Sequence, residues 1–259
     1  MQKRQTYIDL KRISHKGFFS AGIILLFAGL TAFNVIREST VTFTAEDGLL
    51  ITADQYLAST DNPYIVLFHE QGSSRGEFRN TARRLCKMDY NCLAVDLRNG
   101  GSIHFISNET AKRCKESRCP TSAGDIELDM IAAIRYAHQQ SGRPVILFGS
   151  GANGSLCLKV AMEQDQVKAV IALSPGEYFL PGIHIQDTIT HLKKPVFITS
   201  SQSEYPYVSR LASGIDEEYL TLFQPQLGEG GRGNSALTEE NEHNSEYWLA
   251  LMLFFKDLL

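Results

Sequence analysis

Ser150, Glu204 and His243 supply the three groups that acyl transfer through a hydroxyl requires: a nucleophile, an orienting acid and an imidazole to move the proton. Five polar stretches carry most of the chemistry-bearing residues, and each directly follows a short apolar run. They are His69-Glu70-Gln71-Gly72, Asp96-Leu97-Arg98-Asn99-Gly100-Gly101, Gly149-Ser150-Gly151-Ala152-Asn153-Gly154-Ser155, residues 200–204 ending in Glu204, and the glycine-rich 224–233. Residues of these types collected at strand ends point to nucleophilic or binding chemistry on a small molecule. No metal-ligand spacing and no cofactor motif is present, so the expectation is a site that needs neither.

The apolar runs predict strands at 64–68, 92–95, 145–148, 167–173, 196–199 and 219–223, too continuous to be solvent-facing on one side and so suited to a parallel sheet. Between them the 3.6-residue period predicts helices at 125–139, 152–165, 185–193 and 206–214, and a final one at 240–259 presenting Trp248, Leu251, Met252, Phe255 and Leu258. Ser74 and Glu77 have capping-box spacing ahead of a helix with inner face Phe78, Ala82 and Leu85. At the start, residues 41–53 alternate around Asp47-Gly48, a hairpin signal. A hairpin feeding repeated strand–helix units predicts one α/β domain over 41–259, its mostly parallel sheet covered by helices on both faces. Ligands of such sheets bind beyond the carboxyl ends of the strands, where the five polar stretches fall.

Over residues 41–259 the chain resembles the α/β-hydrolase superfamily. The resemblance rests on the hairpin, H-x-x-G at His69–Gly72, D-x-R-x-G-G at Asp96–Gly101 and the glycine-rich strand-to-helix bend at 149–154, in the family's order. Leu173-Ser174-Pro175-Gly176-Glu177-Tyr178-Phe179 and Glu246-Tyr247-Trp248 are similar to a compact, lid-less, serine-hydrolase-like subfamily. The resemblance implies carboxylic-ester chemistry from a Ser, Cys or Asp in G-x-Nuc-x-G, with backbone amides here supplied by Gln71 and Ala152. It also implies an acid, matched by Glu204, and a histidine within about 228–237.

This sequence departs from that pattern twice. Gly151 stands at the nucleophile position, and no histidine occurs in 228–237; His243 is the nearest. Ser150 is one residue early, and neighbouring strand residues face opposite sides, so its hydroxyl is expected to point away from the cleft. His69 reads as a loop anchor beside the oxyanion amides, and Asp96 with Arg98 as a structural pair. Two readings follow: a family member that binds an acyl- or ester-type ligand without cleaving it, or an active ester hydrolase using Ser150, Glu204 and His243.

Composition sets the remaining bounds. With 43% hydrophobic and 21% charged residues among 259, the chain is an ordinary core-forming one and neither disordered nor repetitive. Lys3, Arg4, Lys11, Arg12 and Lys16 against Asp9 give the basic tail 1–16 a net +4, leaving −8 on the rest, which argues against nucleic-acid binding. Residues 17–36 are twenty uncharged residues, about 30 Å of helix and enough to span a bilayer. We read them as a transmembrane signal-anchor, with 37–259 on the non-cytoplasmic side; a cleaved signal and a buried helix are the alternatives. In an oxidising compartment the simplest disulfides are Cys86–Cys92 and Cys114–Cys119, leaving Cys157 free. Asn108-Glu-Thr and Asn153-Gly-Ser match the glycosylation pattern, a common one.

Overall fold

The computed structural model describes residues 35–258; the basic tail and nearly all of the apolar segment 17–36 lie outside the described residues. Among the described residues no helix is long and apolar enough to cross a membrane. The chain runs through β1 (Arg37–Thr44), β2 (Leu50–Leu57), β3 (Tyr64–Phe68), a 3-10 turn (Arg75–Phe78), α1 (Arg79–Cys86) and β4 (Asn91–Val95). A two-residue-per-strand hairpin, β5 (Ser102–Ile103) and β6 (Ile106–Ser107), precedes α2 (Glu109–Ser117) and α3 (Ala123–Ser141). Then follow β7 (Val145–Ser150), α4 (Gly151–Glu163), β8 (Val167–Leu173), α5 (Ile185–Thr188), β9 (Val196–Thr199), α6 (Tyr205–Ala212), β10 (Leu220–Phe223), a second 3-10 turn (Gly233–Leu237) and α7 (Asn244–Asp257).

Eight strands form one sheet in the order β1-β2-β4-β3-β7-β8-β9-β10. The first two pairings are antiparallel and the rest parallel. Alternate residues of the central strands feed two cores. Val66, Phe68 and Leu147 pack with Met130 and Ile134 of α3 and Leu158 of α4. Ile65, Leu67 and Phe148 pack on the other face with Leu85 of α1 and Trp248 and Leu251 of α7. Each fully buried aliphatic side chain among these contributes roughly 1.5–3 kcal/mol. The sheet and its two helical layers are those expected from the sequence.

Several local expectations are corrected. Cys114 and Cys119 form a disulfide, but Cys86 and Cys92 are free, buried thiols. Their Sγ atoms point at the carbonyls of Tyr56 and Ala82. Asp96 and Arg98 do not pair with each other. Asp96 binds Arg75 at 2.7 Å, whereas Arg98 is clamped between Asp129 and Asp47, at 2.7 Å from each. That places one fully buried guanidinium between α3 and the β1–β2 turn. Ser74 caps its own turn by accepting from the Gly76 amide, and Glu77, released from the expected capping box, goes to the site described below. Met252 is 51% exposed and shares the outer face of α7 with Leu249 and Leu253. Asn108 and Asn153 are both buried, which makes them structural. Asn108 caps α2, and the Asn153 amide donates to the His69 carbonyl at 2.6 Å.

Candidate functional site

β7 ends at Ser150 and α4 begins at Gly151, so the sharp bend falls where the sequence places it. Gly151 has φ +55°, in the left-handed region that a side chain disfavours. A Cβ built there would overlap the carboxylate of Glu70, which descends from the loop after β3. The seat of the missing nucleophile is thus filled by a carboxylate from another loop.

That carboxylate is held by Arg232, which the sequence reading passed over. Arg232 Nη2 lies 3.3 Å from Glu70 Oε1 and Nη1 lies 2.9 Å from Glu204 Oε1. Nη2 also donates to the Tyr178 hydroxyl at 3.2 Å. Burial works against the Arg232 charge, but Tyr178, Glu70 and Glu204 outweigh it and raise its pKa above the ordinary guanidinium range. Glu204, just ahead of α6, accepts from the hydroxyls of Ser174 (2.8 Å) and Ser201 (2.9 Å). The acid is therefore built and oriented, and its partner is a guanidinium where an imidazole would be expected. A guanidinium has no lone pair with which to take a proton at neutral pH.

Ser150 is 1% exposed, and its Oγ accepts from the Asn234 amide at 3.1 Å. The neighbouring Gly233 has φ +52°, and a Cβ on it would overlap Ser150 Oγ. The Ser150 hydroxyl also lies beside the Glu77 carboxyl, which accepts from the Glu70 amide at 2.9 Å. Burial pushes Glu77 up, towards its protonated form. His243 sits against Gly228 at the start of α7, and its ring makes no hydrogen bond to a described residue. Ser150, Glu204 and His243 are thus not joined by any hydrogen bond among the described residues.

His69 is wholly buried. Its Nε2 accepts from the Leu97 amide at 3.0 Å, so the proton resides on Nδ1, 2.8 Å from the Glu70 carbonyl. Burial lowers its pKa to about 4, and the ring is a neutral brace for the loop that carries Glu70 and Gln71. The amides of Gln71 and Ala152 donate to no described group, and Gln71 lines the neighbouring cleft. Beside them, a cleft of about 830 Å³ is lined by Gln71, Asn99, Lys115, Arg118, Tyr178 and Phe179. It is open to solvent at the strands' carboxyl ends, and the Cys114–Cys119 disulfide forms part of its wall.

The residues missed by sequence reasoning are Arg232, Glu77, Tyr178 and Ser174. A signal for Arg232 existed: it is the one cation in the glycine-rich run 224–233, where the family pattern implies a histidine.

The structure is similar to that of an esterase of Pyrococcus furiosus (18% identity, TM-score 0.66, covering 86% of this chain and 93% of that one). It is also similar to a dienelactone hydrolase of Anabaena variabilis (16%, 0.62, 85% and 95%). A third likeness is to a dienelactone hydrolase-like promiscuous phosphotriesterase from metagenomic libraries (16%, 0.61, 86% and 98%). At these identities the likenesses establish the fold. No curated protein matches the sequence. The sequence profile of the dienelactone hydrolase family matches residues 48–219, about two thirds of the chain, from the β1–β2 turn to the residue before β10. With the strand order, the bend at Gly151 and the acid after β9 all in place, this chain belongs to the dienelactone hydrolase family.

Proposed function

We propose that this chain is a membrane-anchored member of the family in which ligand binding has replaced ester hydrolysis. The observation that carries the proposal is the double substitution at the site. Gly151 offers no attacking atom, and Arg232 meets the Glu204 acid where a proton-transferring base would have to sit. Attack on an acyl carbon needs a nucleophile with a base in hydrogen-bond reach, and the nucleophile's seat holds the Glu70 carboxylate, an anion unfavourable to the negative charge that would develop nearby. What persists is what binding requires: a cleft, two unpartnered amides and a cation-bearing wall. The ligand class that fits is a small acyl- or ester-type molecule whose oxygen meets the Gln71 and Ala152 amides.

The test is covalent labelling with a fluorophosphonate probe. The wild-type chain is expected to stay unlabelled, whereas Gly151→Ser combined with Arg232→His and Glu70→Ala regains labelling. Wild-type labelling that Ser150→Ala abolishes would instead establish an active hydrolase built on Ser150.

A further inference from the structure

The pole opposite the cleft has features that ligand binding does not use. By register, Arg37 pairs with Leu57, Tyr56 with Cys92, Tyr64 with Asn91, and Val145 with Val167. The first residue of β1 therefore lies at the same pole as the starts of β3, β4, β7 and β8. There a cavity of about 850 Å³ opens between Met88, Tyr90, Met252 and Phe255. Its rim carries Arg143, Lys168 and Lys256 against one acid, Asp89, in a chain whose residues beyond 16 sum to −8. On adjoining α7, Leu249, Met252 and Leu253 stand 59%, 51% and 56% exposed, an i, i+3, i+4 stripe facing away from the core.

We propose that this pole rests on the anionic surface of the bilayer that residues 17–36 span, with the α7 stripe in the interface and the basic rim on phospholipid headgroups. Two observations select a membrane over a protein partner. The twenty-residue apolar segment ends at Ile36 and β1 begins at Arg37, so on the anchored reading the chain enters the described fold at this pole. The rim is locally cationic on an otherwise acidic chain, and apolar residues ringed by Lys and Arg are the composition that seats a helix at a lipid interface. The consequence for function is orientation. The cleft, at the far ends of the same strands, faces away from the lipid and takes its ligand from water.

The inference rests on the anchored reading, and the experiment separates the two. The full chain carrying Met252→Cys or Phe105→Cys, labelled with an environment-sensitive fluorophore, is reconstituted into phosphatidylcholine–phosphatidylglycerol vesicles (about 3:1) containing a lipid-borne quencher. Phe105 is fully exposed on the β5–β6 hairpin beyond the carboxyl end of β4. The Met252 label should be quenched several-fold more than the Phe105 label. The difference should shrink with Arg143→Glu and Lys256→Glu together, and in vesicles of phosphatidylcholine alone. Equal quenching at both positions, in chain that resists alkaline carbonate extraction, overturns the docked pole and leaves the anchor standing. Release of the chain by carbonate overturns the anchor and the inference with it. Quenching unaffected by the charge reversals and by removing phosphatidylglycerol overturns the anionic headgroup assignment.

Discussion

Gly151→Ala probes the claim that Glu70 fills the nucleophile's seat. Two costs add. Alanine at φ +55° loses about 1 kcal/mol relative to glycine. The new Cβ must also expel the Glu70 carboxylate, which breaks its contact with Arg232. That pair is 29% and 53% exposed, so its loss costs no more than about 1 kcal/mol, and reseating the displaced carboxylate brings the total to roughly 1.5–3 kcal/mol. In a Glu70→Ala background the space is already empty, and only the backbone cost of about 1 kcal/mol remains. The double-mutant cycle thus predicts a coupling of about 0.5–2 kcal/mol, read from urea unfolding midpoints at constant slope. Costs that add to within about 0.3 kcal/mol would show that Glu70 does not occupy the seat.

Other perturbations test the frame around the site. His69, with a folded pKa of about 4 against about 6.5 unfolded, binds fewer protons folded than unfolded between those values. Stability should fall by roughly 3 kcal/mol as pH drops through that window. Buried Glu77, Asp96 and Asp129, whose pKa values burial raises, slope the opposite way. The readout is therefore the wild-type minus His69→Gln difference in unfolding free energy, and a difference independent of pH would refute the assignment. Asp129→Ala leaves the fully buried Arg98 with Asp47 as its remaining carboxylate among the described residues. It should cost about 3–5 kcal/mol, measured by chemical denaturation; a cost below about 1 kcal/mol would mean that water reaches the guanidinium.

Much of this architecture was legible because burial on both faces writes itself as uninterrupted apolar runs. β3 (64–68), β8 (167–173) and β9 (196–199) fall where those runs do. α2 was not legible: Glu109–Ser117 buries only Thr110 and Cys114, too little to leave an apolar stripe. β5 and β6, two residues each, are shorter than any periodicity. Met252 reads as part of the apolar face of the last helix because apolar type stands in for burial, and that proxy fails where a helix keeps apolar residues on its outer face. At the site, the bend and Glu204 were readable as local motifs. The Glu70–Arg232 contact joins residues 162 apart, and Glu77 was claimed by a local capping pattern that it does not form. Side chains that act across loops leave no short-range trace.

The central claim is that no group here can open an acyl carbon, and steady-state hydrolysis of a p-nitrophenyl ester by the purified full chain tests it most directly. The account predicts a wild-type rate indistinguishable from that of Ser150→Ala and of buffer. A wild-type rate well above both, lost on Ser150→Ala or on His243→Ala, would contradict it.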